Sequence, residues 1–360
     1  MTVCTPDDCI RVVHILARYG LGGVETAARS MAAREDLACD FHLLFVAGNT
    51  LAVGSPRVVA PGRGSTANPL AHLAVLRRCL ALRPDVVIVS LWRSVPLLVA
   101  LMLLRPSIRR VMTVNSARAA HVVDALMLRV GVAVADEVWG DSAAAIIQRH
   151  VTARSRIISF VSDRLPPCPA TELRPHFAAW ARIDRHKGFD QALELIAALV
   201  ASGHDARFDL YGPDGGARGG LAAQAHRLGI ADRVHFYGPF DRVQLTRIAA
   251  TASFFLLPSR FEGMAMACVE AMQLGLVPVV TPVGEMAHYV IPGETGILID
   301  PERIEHSAAD VAALLAVPDR FIAMRRAAIA RWASAPLYAD DMCAAANALA
   351  QGAAPSRELL

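Results

Sequence analysis

Three short stretches of the sequence carry residue types suited to binding a diphosphate and the sugar rings beside it. The first is Tyr-Gly-Leu-Gly-Gly-Val-Glu-Thr (19–26), which follows a β-branched run and leads into an alanine-rich helical pattern. Glycines let a backbone approach a ligand closely, and the free N–H groups of a helix start attract an anion. The second is Ala-Arg-Ile-Asp-Arg-His-Lys-Gly-Phe (181–189), with Arg182 at a strand end and Lys187 before Gly188 at a helix start. Two cations near a helix N-terminus suit a diphosphate, whose charge they would stabilise as it leaves. Lys187 is also the single lysine of the chain, arginine serving everywhere else. A compact, rotatable ammonium fits a crowded phosphate site where a flat guanidinium does not. The third is Ser-Arg-Phe-Glu-Gly-Met-Ala-Met-Ala-Cys-Val-Glu-Ala-Met (259–272), after the apolar run Phe-Phe-Leu-Leu-Pro. It puts Glu262 in a loop and Glu270 two turns along a helix. An acid inside an apolar helix needs a partner, for which a ribose diol and a buried arginine are the two candidates.

The elements that must position these residues alternate along the chain. β-branched runs read as strands at Arg11–Ala17, Phe41–Ala47, Arg57–Ala60, Asp85–Leu91, Arg110–Val114, Glu137–Gly140 and Arg156–Val161. Helical patterns lie between them, Leu70–Leu82 among them. The run Arg-Leu-Pro-Pro-Cys-Pro-Ala (164–170) continues neither a helix nor a central strand and reads as a linker. Alternation resumes with strands at Phe177–Ile183, Arg207–Tyr211, Val234–Tyr237, Phe254–Leu257 and Val277–Thr281. Helices at Gln191–Ala201 and Met264–Leu274 separate them, and a helical tail starts at about Glu305. Strand–helix alternation predicts an α/β fold of two doubly wound parallel-sheet domains, with ligands at the carboxyl ends of the strands. The expected division is 1–165, 166–335, and a closing helix, 336–360, that crosses back to the first domain.

With these motifs in hand, the chain resembles the retaining GT-B glycosyltransferases of family 4 (glycosyl transferases group 1). The resemblance rests on Gly22-Gly23-Val24-Glu25, Arg182 with Lys187-Gly188, and Glu262 and Glu270 with seven residues between them. The runs Gly-Leu-Val-Pro-Val-Val-Thr-Pro-Val-Gly (275–284) and Pro-Gly-Glu-Thr-Gly-Ile-Leu-Ile (292–299) look like that family's closing signature. It implies two Rossmann-like domains and transfer of a sugar from a UDP- or GDP-linked donor, with retention and without a metal. Gly22 and Gly23 would approach the donor phosphates, and Arg182 and Lys187 would neutralise the diphosphate. Glu262 would face the sugar hydroxyls, with the amides of Gly263, Met264 and Ala265 beside it. Glu270 would hold the ribose, and Gly212, Gly238 and Phe240 lie on loops where the family holds the base. On the acceptor side the family often has a histidine where this chain has Asn115, with His121 six residues on. His288 stands where an acid is usual.

Composition bounds the remaining possibilities. A hydrophobic content of 54% with 19% charged residues is that of compact globular domains. Seven cysteines, none in a Cys-x-x-Cys pair, predict neither a disulfide framework nor a thiolate metal site, and so reduced thiols. The longest apolar stretch, Pro96–Leu104, is too short to span a bilayer, and the first residues lack the basic start of a signal peptide. The expected location is the cytoplasm, or peripherally at the cytoplasmic membrane face. Residues 1–165 hold 19 Arg against 12 Asp and Glu, a balance of +7, whereas the remainder holds 17 Arg and Lys against 21 acids, or −4. A basic first half and the apolar run Leu97–Leu104 suit a lipid-linked glycan at an anionic membrane surface, as in bacterial polysaccharide or lipopolysaccharide assembly. The alternatives are a soluble small-molecule acceptor and a non-catalytic GT-B partner subunit. An NAD-dependent oxidoreductase is disfavoured, because Glu25 stands where the third glycine of a dinucleotide fingerprint should fall. No nucleic-acid partner is implied.

Overall fold

The computed structural model describes residues 9–19, 23–48, 56–60, 65–114, 122–147, 154–169 and 172–353. The chain forms two compact units, one of Met1–Asp163 with Pro336–Leu360 and one of Arg164–Ala335. Each is built on a wholly parallel sheet, which is the fold class read from the sequence.

In the first unit the strands are β1 (Arg11–Arg18), β2 (Asp40–Ala47), β3 (Val58–Val59), β4 (Val86–Ser90), β5 (Arg109–Val114), β6 (Glu137–Gly140) and β7 (Ser155–Ile157). They lie in the order β3-β2-β1-β4-β5-β6-β7. The winding direction reverses between β1 and β4, so the loops after these two strands open the crevice of the sheet. Strands covered on both faces read as continuous apolar runs, as Val-Val-Ile-Val in β4 does. Their core includes Val13, Ile15, Val87, Val89, Leu98 and Met112. The helix Val95–Leu104 presses Leu97, Leu98 and Leu101 into this core and exposes Leu103 and Leu104. The apolar run read as surface is thus largely core.

The helix Tyr338–Ala350 belongs to this first unit. Tyr338 N–H donates to Val161 O at 2.8 Å, and Ser159 N–H donates to Asp341 Oδ2 at 2.7 Å. A disulfide joins Cys39 to Cys343, 304 residues away, across a Cα separation of 5.7 Å. This corrects the expectation of reduced thiols: spacing along the chain does not reveal a partner so distant in sequence. Cys79, Cys168 and Cys268 are free and buried.

The second unit contains β8 (His176–Trp180), β9 (Arg207–Tyr211), β10 (Val234–Gly238), β11 (Phe254–Leu257), β12 (Val277–Val280) and β13 (Ile297–Leu298), ordered β10-β9-β8-β11-β12-β13. Here the direction reverses between β8 and β11. The helical tail is three helices, of which Ile304–Leu315 and Pro318–Ala333 belong to this unit. The proline-rich linker is strapped onto it. Arg164 donates to Trp332 O at 2.7 Å and to Ala335 O, and the buried Arg325 donates to Cys168 O. Among the described residues no helix is long and apolar enough to cross a membrane.

Candidate functional site

The chemistry-bearing residues of the second unit gather at the carboxyl ends of β8 and β11, where the winding reverses. This is where open parallel sheets bind ligands. After β8 the chain makes a turn of 3-10 helix, Arg185–Lys187, and then the helix Phe189–Ala201. Gly188 joins them with φ of +66°, and a Cβ there would fall 1.8 Å from Pro258 O. Only glycine satisfies both constraints, so the helix start and the loop after β11 are brought into direct backbone contact.

That approach delivers Lys187 to Glu262. Nζ donates to Oε1 at 2.6 Å, and Ser259 Oγ donates to the same oxygen at 2.7 Å. Neither partner is sealed: the side chains retain 24% and 10% of their exposure. Arg182 takes a different position. Its side chain is 67% exposed and lies 3.6 Å from Asp184. Sequence reading brings Arg182 and Lys187 together as a cationic pair. In the structure Lys187 is committed to Glu262, and Arg182 is the more accessible charge.

Beyond Glu262 the backbone passes through Gly263 and Met264 to Ala265, which is left-handed at φ +55°. The helix starts at Met266, not Met264 as expected, because a residue in that conformation cannot begin a right-handed helix. Tyr289 supports the turn by donating its hydroxyl to Met264 O at 2.9 Å. Its phenol is buried, which pushes its pKa well up and keeps it a donor. The helix Met266–Leu274 is buried almost all round, and Glu270 within it is 7% exposed. The indole N–H of Trp180, at the end of β8, donates to Glu270 Oε2 at 2.9 Å. Indole thus supplies a protein partner where the sequence reading weighed an arginine.

A third loop closes on these two. After β12, Gly284 has φ of +57°, and a Cβ there would meet Gly263 O at 2.4 Å and Glu262 O at 2.5 Å. Glu285 N–H then donates to Gly263 O at 3.0 Å. On the other side of the sheet, Gly212 follows β9 and donates its N–H to the carbonyl of Gly238 at 2.7 Å. Gly238 is the last residue of β10, where a loop position was expected. Tyr211 and Tyr237 stack at 4.6 Å, with Phe240 edge-on to Tyr211 at 6.1 Å. A cavity of about 540 Å³ opens beside the 184–190 segment, lined by Asp184, His186, Asp190, Gly216, Gln224 and Arg260. Neither Lys187 nor Glu262 lines it.

Trp180, Ser259, Glu285 and the Tyr211–Tyr237 pair are the residues that sequence reading missed. In the first unit, Gly23 begins the helix Gly23–Ala32 with Glu25 in its first turn. Arg29 sits over the Tyr19 ring at 4.9 Å. Gly22, Asn115 and His121 lie outside the described residues.

Comparison with known proteins gives this geometry a context. Residues 170–331 match the family model described as "Glycosyl transferases group 1". The D-inositol 3-phosphate glycosyltransferase of Segniliparus rotundus is 30% identical over 217 residues, 60% of this chain and 45% of that protein. The GDP-mannose:cellobiosyl-diphosphopolyprenol alpha-mannosyltransferase of Komagataeibacter xylinus is 32% identical over 152 residues, 41% of this chain and 38% of that protein. The matched stretch therefore spans less than half the length of these curated relatives. Among solved structures, HepE of Anabaena in complex with UDP and glucose superposes with a TM-score of 0.75 at 17% identity, covering 95% of this chain and 98% of that one.

Proposed function

We propose, from the match of residues 170–331 to the family model described as "Glycosyl transferases group 1", that this chain is a retaining glycosyltransferase. It moves a sugar from a UDP- or GDP-linked donor to an acceptor hydroxyl. The observation that carries the reading is the Lys187–Glu262 contact of 2.6 Å at the switch point of the second sheet, with Glu270 on the helix that follows.

In this reading Lys187 and Arg182 neutralise the diphosphate as the glycosidic bond lengthens, and the N-terminus of the helix Phe189–Ala201 adds its dipole. These groups meet the leaving-group charge without a metal, so activity persists in chelator. Glu262 accepts from the sugar hydroxyls. Lys187 and Ser259 share its Oε1 and orient the carboxylate for that task. The amides of Gly263, Met264 and Ala265 edge the donor, and Glu270, fixed by Trp180, takes the ribose diol. Gly22 and Gly23 are the proposed phosphate contacts, and Asn115 and His121 the proposed acceptor-side residues. Gly212, Gly238 and Phe240 border the base. The acceptor hydroxyl attacks the face from which the diphosphate departs, and no protein nucleophile is assigned.

For the acceptor we propose a lipid-linked glycan of bacterial surface polysaccharide assembly, met at the cytoplasmic membrane face. The +7 balance of residues 1–165 favours an anionic surface, and the Komagataeibacter relative is named for a diphosphopolyprenol substrate. The Segniliparus relative, named for an inositol phosphate, favours a second reading with a small anionic acceptor. Transfer assays with both acceptor classes separate the two. Proton NMR of the product tests the chemistry: an α-linkage from an α-linked donor is expected, and a β-linkage contradicts retention.

A further inference from the structure

We propose that Glu285 is a specificity-determining residue of the donor site, holding a hydroxyl of a neutral donor sugar and rejecting an acidic one. The inference rests on the glycosyltransferase reading and deepens it by naming the class of sugar.

Glu285 reaches the site through its backbone. Its N–H is bonded to Gly263 O, one residue after Glu262, and Gly284 packs against the carbonyls of Glu262 and Gly263 at distances only a glycine allows. The loop after β12 is therefore locked to the loop proposed to face the sugar. The side chain shows an imbalance. Glu285 Oε1 is buried, and among the described residues it has no hydrogen-bond partner. A buried carboxylate oxygen without a donor is costly, and native proteins retain such an atom where a ligand completes it. The donors that hold the Glu262 loop are already engaged. Lys187 and Ser259 both bond Glu262, and the Tyr289 hydroxyl donates to Met264 O. Among the described residues none donates to Glu285 Oε1, and a hydroxyl of the donor sugar would.

A carboxylate oxygen accepts hydrogen bonds and does not donate. The sugar hydroxyls of a neutral hexose supply the required O–H, whereas the carboxylate of a hexuronate would bring like charge against the Glu285 carboxylate. Glu285 thus both rewards a neutral sugar and penalises an acidic one, the two elements of discrimination.

The test is calorimetric binding to wild type, Glu285→Gln and Glu285→Asp of the nucleoside diphosphate, its neutral hexose conjugate and its hexuronate conjugate. The melting temperature is recorded for each variant without ligand. Loss of a hydrogen bond to a charged acceptor should weaken the neutral conjugate in Glu285→Gln by roughly 10- to 100-fold. The nucleoside diphosphate should bind unchanged, and the preference for neutral over acidic sugar should narrow. The unliganded melting temperature should stay level or rise, because an uncompensated charge is removed. Equal affinity of wild type and Glu285→Gln for the neutral conjugate, with the diphosphate still bound, overturns the role of Glu285 alone. A fall in the unliganded melting temperature also overturns it, marking the carboxylate as structural. A wild-type protein that binds no nucleoside diphosphate overturns the donor site and this inference together.

Discussion

Lys187 stands 2.6 Å from Glu262 with its side chain still 24% exposed, a pair anchored from one side and open on the other. A pair sealed on every side would be structural. One that keeps an accessible face can exchange its partner for a ligand's charge. Lys187→Ala should lower kcat about 100- to 1,000-fold, the usual cost of removing one group that stabilises developing charge. Lys187→Arg should recover little, because the guanidinium fork does not fit the space of a compact ammonium. Steady-state kinetics, with circular dichroism to verify folding, check both; full recovery in Lys187→Arg would show that charge alone suffices. Lys187, Glu262 and Glu270 were legible in the sequence because each breaks a local rule: a lone lysine, and acids in or beside an apolar helix. Trp180 and Ser259 break none, and the partners they meet lie 90 and 3 residues away. Only the fold shows that they orient the two acids. Arg182 illustrates the converse: its type and place were evident, but its direction depends on Asp184 and solvent.

At the scale of elements, burial on both faces explains why the strand positions were readable. β6, β9 and β11 coincide with the apolar runs that announce them. β13 is only Ile297–Leu298, too short to carry a period of its own, and was missed. Gly188 is the tightest junction between elements. In Gly188→Ala the new Cβ would overlap Pro258 O, at 1.8 Å. Repacking or separation of the loops should cost about 3 kcal/mol, measurable by denaturant unfolding. Wild-type stability in that variant would mean that the two loops are not held in contact.

His14 on β1 provides a pH signature for the first unit. It is fully buried, its Nε2 lies 2.7 Å from Ser90 Oγ, and Nδ1 has no partner among the described residues. Burial lowers its pKa from 6.5 to about 3. The folded state therefore resists the proton that the unfolded chain accepts. Its effect on stability is absent above pH 6.5 and grows as a loss while pH falls from 6.5 towards 3. At pH 5 the loss amounts to about 2 kcal/mol. Comparing unfolding at pH 7.5 and pH 5 in wild type and His14→Leu should show a pH dependence about 2 kcal/mol smaller in the variant. Equal dependence would mean that the ring gains its proton in the folded state.

Across the whole molecule, the chain leaves the first unit at Asp163 and returns at Pro336. The helix Tyr338–Ala350 is then fixed by hydrogen bonds to the 159–161 segment and by the Cys39–Cys343 bridge. Cross-linking residues 304 apart constrains the unfolded chain, so Cys343→Ser should cost about 2–4 kcal/mol, less than the longest-loop limit. Reductant should lower the melting temperature of wild type by more than that of the variant; equal shifts would show that the bridge contributes nothing. The two-domain architecture was evident from strand–helix alternation and the proline break. The bridge was not, since nothing local to Cys39 points to Cys343.

The central claim, that the carboxyl end of the second sheet binds a nucleoside diphosphate, is tested most directly by ligand-dependent melting. The intact chain is melted with UDP, GDP, ADP and NAD in turn. A ligand at 100 times its dissociation constant stabilises by about 2.7 kcal/mol, enough to move the midpoint by several degrees. The expected result is a shift with UDP or GDP, weakened in Lys187→Ala, and none with NAD. A shift with NAD alone would contradict the donor site and return the fold to dinucleotide chemistry.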